Sequence, residues 1–238
     1  MVAIFVVLTI VAFVLVDAIV QRSEARARQK LSKPEPVFFK TPVTAFVPQN
    51  LSVPGTVFLG FGHTSVGLEA SGKARIGLDD FVHQAVGRID RVELPNVGQK
   101  VRRGDELFVI RQKERKAAFK APIDGIVNSV NESLTQNPDM IKEGLFQRGW
   151  VCTLAPKNLA RNLKRLLIAE DAMAWLKTEV QRFEEFIVGR PIEHMVLGHV
   201  LQDGGKPMGG VLELMDDETW RLFSREFLQA DSEEEPAG

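Results

Sequence analysis

Six consecutive residues, Arg111-Gln112-Lys113-Glu114-Arg115-Lys116, set four cations and one carboxylate between two apolar runs in ELFVIRQKERKAAFKAP. Charge concentrated at the tip of a hairpin steers and orients an acidic protein partner. Arg111, Lys113, Arg115 and Lys116 are therefore candidate docking residues, although the same run equally suits a plain solvated hairpin end. No glycine-rich loop accompanies it, so phosphate binding has no support. The remaining chemistry-bearing residues are sparse. Cys152, the one cysteine, lies in the strand-like GWVCTL and reads as a buried thiol. His194 and His199 are five residues apart, whereas two metal ligands on one helix face prefer a spacing of about four. There is no nucleophile–base set, metal cluster or cofactor fingerprint. The expectation is therefore no catalytic residues, no metal and no enzyme.

The elements that must position this tip are written around it. Gly104-Asp105 marks a turn before the hairpin, and Pro122-Ile123-Asp124-Gly125 marks one after it. From Thr56 to about Pro156, short apolar or alternating runs are separated by Gly and Pro. They include VFLGF, KARIGL (73–78), DRVELP ending at Pro95, and FKAPIDGIVNSVN. Strands at this spacing predict a small barrel or sandwich. One short helix is expected within DDFVHQAVG, capped by Asp79 or Asp80 and stopped by Gly87. Beyond Pro156, apolar residues at Leu166, Ala169, Met173, Leu176, Val180, Phe183 and Ile187 recur at helical spacing and predict an amphipathic helix ending at Gly189-Arg190-Pro191. A second helix is expected from Pro191 to Leu201, then a loop over Gln202–Gly210. A last helix follows, capped by Asp216 or Asp217, with Trp220, Phe223 and Phe227 inward.

The β-rich stretch resembles the glycine cleavage system H protein family, a lipoyl/biotinyl-type carrier. The resemblance rests on ordered features: His63; Ile76-Gly77-Leu78-Asp79-Asp80-Phe81; Gly87; Val92-Glu93-Leu94-Pro95-Asn96-Val97-Gly98; Gly104-Asp105; Pro122-Ile123-Asp124-Gly125; Val130-Asn131-Glu132-Ser133-Leu134; Asn137-Pro138-Asp139-Met140-Ile141; and Gly149-Trp150. It covers about residues 56–158. It implies a lipoyl-like β-barrel sandwich hybrid and a lysine at the hairpin tip that carries lipoate. In the family that lysine follows the glycine of the Gly-Asp turn by ten residues, and ten residues past Gly104 is Glu114. The acidic residue that the family places three before the lysine falls at Arg111. The expectation is therefore no cofactor, with lipoylation at Lys113 or Lys116 as the alternative.

Val2–Val20 is a nineteen-residue, predominantly apolar run with a single charge, Asp17, long enough to span a bilayer as a helix. Arg22, Arg26, Arg28, Lys30 and Lys33 follow it and place the rest of the chain in the cytoplasm by the positive-inside rule. Five prolines between residues 31 and 55 predict a stiff, irregular tether. The fold class is thus α+β. An N-terminal transmembrane helix (1–21) is followed by a Pro-rich linker (22–55), the lipoyl-like domain (56–158), a helical C-terminal extension (159–230) and an acidic, disordered tail (231–238). Net charge is −1 from 30 basic and 31 acidic residues, which gives no global field for nucleic acid. The function expected is a membrane-anchored, single-pass, non-catalytic scaffold or docking subunit with an unknown protein partner. The alternatives are a genuine lipoyl carrier of a glycine cleavage or related system and a membrane-fusion-type adaptor.

Overall fold

The computed structural model describes residues 53–188, 190, 201–202, 206–207 and 209–229. The expected membrane helix, most of the linker, the helix expected from Pro191, both distal histidines and the acidic tail lie outside them. Among the described residues, no helix is long and apolar enough to cross a membrane.

Alternating side chains build the β module. In β3 (Ala74–Leu78), Ala74, Ile76 and Leu78 are buried, while Arg75 turns outward to pair with Glu69 at 2.7 Å. It lies between β2 (Thr64–Leu68), itself beside β1 (Val57–Leu59), and the long β9 (Trp150–Pro156). With β8 (Gly125–Val130), β5 (Lys100–Val101) and β10 (Leu167–Ile168), these strands form a seven-stranded antiparallel sheet in the order β10-β1-β2-β3-β9-β8-β5. A second, three-stranded sheet has the order β4-β6-β7, from Arg91–Glu93, Glu106–Gln112 and Arg115–Lys120. Inward residues of both sheets share one core. Ile76, Val127 and Leu154 come from the larger sheet, and Ile110 with the stacked pair Phe108–Phe119 (5.0 Å) comes from the smaller.

The helices begin where their caps dictate. Helix α1 (Asp80–Val86) is capped by Asp79, whose Oδ1 accepts the Val82 amide at 3.1 Å. It ends at Gly87, with φ +74°. Helix α2 (Ser133–Gln136) leads into a 3-10 turn at Pro138–Glu143, the start signalled by Asn137-Pro138. The expected long helix after Pro156 is divided. Helix α3 (Leu159–Leu163) ends early, β10 pairs with β1 through Phe58↔Ile168, and α4 runs Ala169–Ile187. Ala169, with φ +51°, marks the junction. A two-residue edge strand is too short to disturb a helical periodicity, which is why the sequence reads through it. A two-stranded ladder, β11 (Leu201–Gln202) with β12 (Lys206–Pro207), lies where a loop was expected. The last helix, α5 (Asp217–Phe227), is capped by Asp216 accepting the Thr219 amide at 2.8 Å, and it buries Trp220, Phe223 and Phe227 as its stripe predicts.

These helices close over the module through aromatic rings. Phe81 of α1 meets Phe183 of α4 edge-on at 5.4 Å and stacks on Phe227 of α5 at 5.8 Å. Phe183 meets Phe223 at 5.8 Å. Each such side chain contributes about 1.5–3 kcal/mol by leaving water, which is how the C-terminal helices are held against the sheets.

Candidate functional site

The hairpin of β6 and β7 is registered by Val109↔Ala118, Ile110↔Ala117, Arg111↔Lys116 and Gln112↔Arg115, leaving Lys113 and Glu114 as a two-residue turn. Turns this tight require positive φ, and Lys113 takes it at +53°. Its amide donates to Asp90 Oδ2 at 2.8 Å. Both turn side chains are exposed. Glu114 thus stands in the turn itself, at the place counted from Gly104.

The residues flanking the turn face inward. Gln112 is buried, and its Nε2 donates to the carbonyls of Val86 (2.8 Å) and Arg88 (2.7 Å), satisfying acceptors at the end of α1. Arg115 was expected on the exposed tip but is 8% exposed. Its Nε donates to Asp217 Oδ1 at 2.6 Å, Nη1 reaches the Leu212 carbonyl at 3.2 Å, and its guanidinium lies 5.9 Å from the Trp220 ring. Trp220 Nε1 in turn donates to the Lys116 carbonyl at 3.0 Å. Helix α5 therefore packs against β7, the edge strand of this sheet, and takes up one carbonyl of it.

Of the four candidate docking residues, Arg111, Lys113 and Lys116 remain on the surface. Cross-strand pairing adds a fourth cation that the sequence reading omitted. Arg91↔Arg111 and Arg111↔Lys116 align in one row across β4, β6 and β7. Glu93, one row below, is ion-paired with Arg111. The hydrogen bond from Arg111, reinforced by the charges of Arg111, Arg91 and Lys116, holds the Glu93 carboxyl below its ordinary range. Arg111 is correspondingly raised by its hydrogen bond to Glu93. The arrangement can bind and orient anionic groups. It offers no nucleophile or base aligned for bond making.

A second polar cluster lies inside. His63 is fully buried with φ +59°. Its Nδ1 is 2.7 Å from Asp79 Oδ2, its Nε2 lies 3.5 Å from Glu179 Oε2, and its ring stacks on Phe81 at 4.3 Å and tilts over Trp175 at 4.8 Å. Glu179 accepts from Arg182 Nη1 at 2.6 Å, and Arg182 also reaches the Glu226 carbonyl at 2.8 Å. Burial by itself pulls the imidazole's pKa down. The charge and hydrogen bond of Asp79, with smaller contributions from Glu179, outweigh it and push the value up to about 9. The cluster holds a cation between two carboxylates and joins β2's approach, α1, α4 and α5. The sequence reading used His63 only as a landmark. The available signal was Glu179, a charge sitting on the inward stripe of Leu176, Val180 and Phe183.

Cys152 is buried in β9, and burial pushes its thiol up to about 12, so it is inert at neutral pH. Among the described residues, no group of three or more His, Cys, Asp or Glu side chains is placed to hold a metal ion.

The family model described as glycine cleavage H-protein matches residues 62–179. Over 107 residues the chain is 36% identical to the probable glycine cleavage system H protein of Pyrococcus horikoshii, covering 45% of this chain and 79% of that protein. Over 125 residues it is 33% identical to the glycine cleavage system H protein of a Psychrobacter species, covering 52% of this chain and 98% of that protein. A crystal structure of a glycine cleavage system H protein from Mycobacterium marinum superposes with a TM-score of 0.46 at 22% identity, covering 53% of this chain and 99% of that one.

Proposed function

This chain belongs to the glycine cleavage H-protein family, and on that premise we propose that it is a membrane-anchored, non-catalytic member that uses the carrier hairpin for docking a protein partner instead of carrying lipoate. The observation that carries the reading is the identity of the turn. Lipoate is attached as an amide of a lysine amine, and the second turn residue, Glu114, presents a carboxylate that cannot form that bond. The residues present at that position do not fit the group, so no acyl or aminomethyl transfer is derived through it. What remains at the tip is a surface of cations, Arg111, Lys113 and Lys116 with Arg91 beside them, on a rigid strand pair. Such a surface raises association rate and selects against basic partners.

Anchoring is the other half of the proposal. It is supported by the apolar run Val2–Val20, with its basic flank placing the folded part in the cytoplasm. A prolonged Pro-rich tether suits a module that must reach its partner from the bilayer surface.

One observation favours the alternative of a working carrier. Lys113 supplies an exposed amine on the same turn. Lys116 is less suited, because it lies within β7 with its carbonyl held by Trp220. Intact-mass measurement of the protein from its native host separates the readings. An unmodified chain is the expected result, and a lipoyl adduct on Lys113 or Lys116 overturns the docking-only function.

A further inference from the structure

Residues 157–169, KNLARNLKRLLIA, carry four cations and no carboxylate. They run from the end of β9 through α3 and β10 to the start of α4. Lys157, Arg161, Lys164 and Arg165 are all exposed, and among the described residues none of the four is ion-paired. Arg161, Lys164 and Arg165 stand three and four residues apart. That spacing puts them on one side of α3 and of the turn that continues it, closed by the Arg165 amide on the Asn162 carbonyl at 3.0 Å. The other side is held down. Leu163 and Leu167 pack on the core, and buried Asn162 donates its Nδ2 to the Lys157 carbonyl at 2.8 Å. The pairing of β10 with β1 fixes the far end. Asp124, Glu170 and Asp171 adjoin the stretch. The Asp124 carbonyl accepts the Lys157 amide at 2.9 Å and its Oδ1 accepts the Arg103 amide at 2.8 Å. Glu170 and Asp171 open α4, where they complement the helix N-terminus. Cations at the end of α3 complement its dipole in the same way, but Lys157 lies before that helix, at the end where a cation is unfavourable.

We propose that the ledge formed by Lys157, Arg161, Lys164 and Arg165 lies against the anionic phospholipid headgroups of the bilayer that anchors the chain. The inference rests on the anchoring reading and deepens it, because it names the face that the folded part turns to the membrane. Charge complementarity selects the occupant. The positive-inside reading puts the folded part on the cytoplasmic side, where the leaflet carries a negative surface potential. Each Lys or Arg near such a surface strengthens attachment about fivefold. From Arg161 to Arg165 is about 6 Å of helical rise, so one flat surface reaches these cations together within a Debye length of about 8 Å. A free polynucleotide is a poorer fit, since a net charge of −1 supplies no field to draw it in. The bilayer, by contrast, is held at high local concentration by the tether.

The test places the full chain in nanodiscs of phosphatidylcholine alone, or of equal parts phosphatidylcholine and phosphatidylserine. A neutral amine-acetylating ester is added, and labelling is read residue by residue by mass spectrometry. Lys113, exposed on the hairpin turn, is the internal reference. Phosphatidylserine is expected to slow labelling of Lys164 about fivefold relative to Lys113, because an ammonium at the headgroups is held protonated. Lys157 should follow Lys164, and high salt should remove the difference. Arg161→Gln with Arg165→Gln should weaken the protection of Lys164, whereas Arg161→Lys with Arg165→Lys should retain it; both positions are exposed, so neither pair of changes burdens the core. An unchanged ratio of Lys164 to Lys113 labelling between the two kinds of disc overturns the proposal. Slowing of Lys113 in place of Lys164 also overturns it, since the hairpin would then face the membrane. So does protection of Lys164 by a single-stranded DNA oligonucleotide without protection by phosphatidylserine. Incorporation into discs of phosphatidylcholine alone reports the anchor separately. A chain that incorporates with an unchanged ratio leaves anchoring standing. A chain that stays out of neutral discs but is protected on phosphatidylserine discs removes the anchor alone, and a chain that stays out of both removes the anchor and the proposal together.

Discussion

Replacing Asp79 with Asn isolates the buried charge cluster from everything else that Asp79 does. As N-cap of α1, Asp79 accepts the Val82 amide through Oδ1, and Asn caps about as well. What Asp79→Asn removes is the negative charge 2.7 Å from His63 Nδ1. In the folded protein the imidazole is raised to about 9 from its ordinary 6.5. The group's contribution to stability is therefore fully present below pH 6.5 and is lost as pH rises through 9. In that window the folded state holds one proton more than the unfolded state, so stability falls by about 1.4 kcal/mol per pH unit, or roughly 3 kcal/mol in all. Asp79→Asn returns the imidazole toward its unfolded value. The variant should therefore lose about 2–3 kcal/mol at pH 7 and lose most of the slope between pH 6.5 and 9. The assay is urea unfolding of the full chain in detergent at half-unit pH steps, with the His63 ring titrated by NMR alongside. A wild-type stability that is flat from pH 6.5 to 9 would refute the reasoning. So would an Asp79→Asn variant that keeps the full slope, because the charge would then not be what holds the proton.

Three further outcomes are expected. Glu114→Lys places an amine in the turn, and incubation with a lipoate ligase, lipoate and ATP should yield one lipoyl adduct by intact mass where the parent chain yields none. Gly87→Ala puts a Cβ 2.9 Å from the Gly210 Cα at a φ of +74°; both backbones must yield, and the midpoint of denaturant unfolding should fall by an amount equivalent to about 1–3 kcal/mol. Cys152, with its thiol pushed up to about 12, should resist a disulfide-exchange reagent at pH 8 in the native protein and react at once in denaturant.

Turns and caps were the most legible features, because they depend on local chemistry. Gly104-Asp105, Pro122–Gly125, the Asp79 and Asp216 caps and the Gly87 stop all sit where their residue types demand. The hairpin tip was legible for the same reason, since counting between two fixed turns put Glu114 in the loop. Arg115 was misjudged because charge was read without register. With a two-residue turn, Arg115 pairs with Gln112 and points to the same side, and that side is covered by α5 and the Val211–Leu214 turn. The His63 cluster was illegible in another way. Its members come from residues 63, 79, 179 and 182, and only the packing of α4 on the module makes them neighbours. The β10 strand was hidden because two residues carry no periodicity.

These flanking contacts hold the hairpin independently of what its tip carries. Gln112 and Arg115, one on each side of the turn, are committed to the interior: Gln112 to the end of α1, Arg115 to Asp217 and Leu212 of the C-terminal segment. Sliding the register by one residue would withdraw both at once and leave buried acceptors unpaired, at about 1–3 kcal/mol each. The register is therefore fixed by packing and not by what the turn carries. Lys113 and Glu114 bury nothing, so apart from the positive φ required at Lys113 their side chains are free to be chosen by chemistry at the surface. A lysine exchanged for Glu114 leaves every one of these contacts in place, so the fold does not depend on which residue the turn carries there.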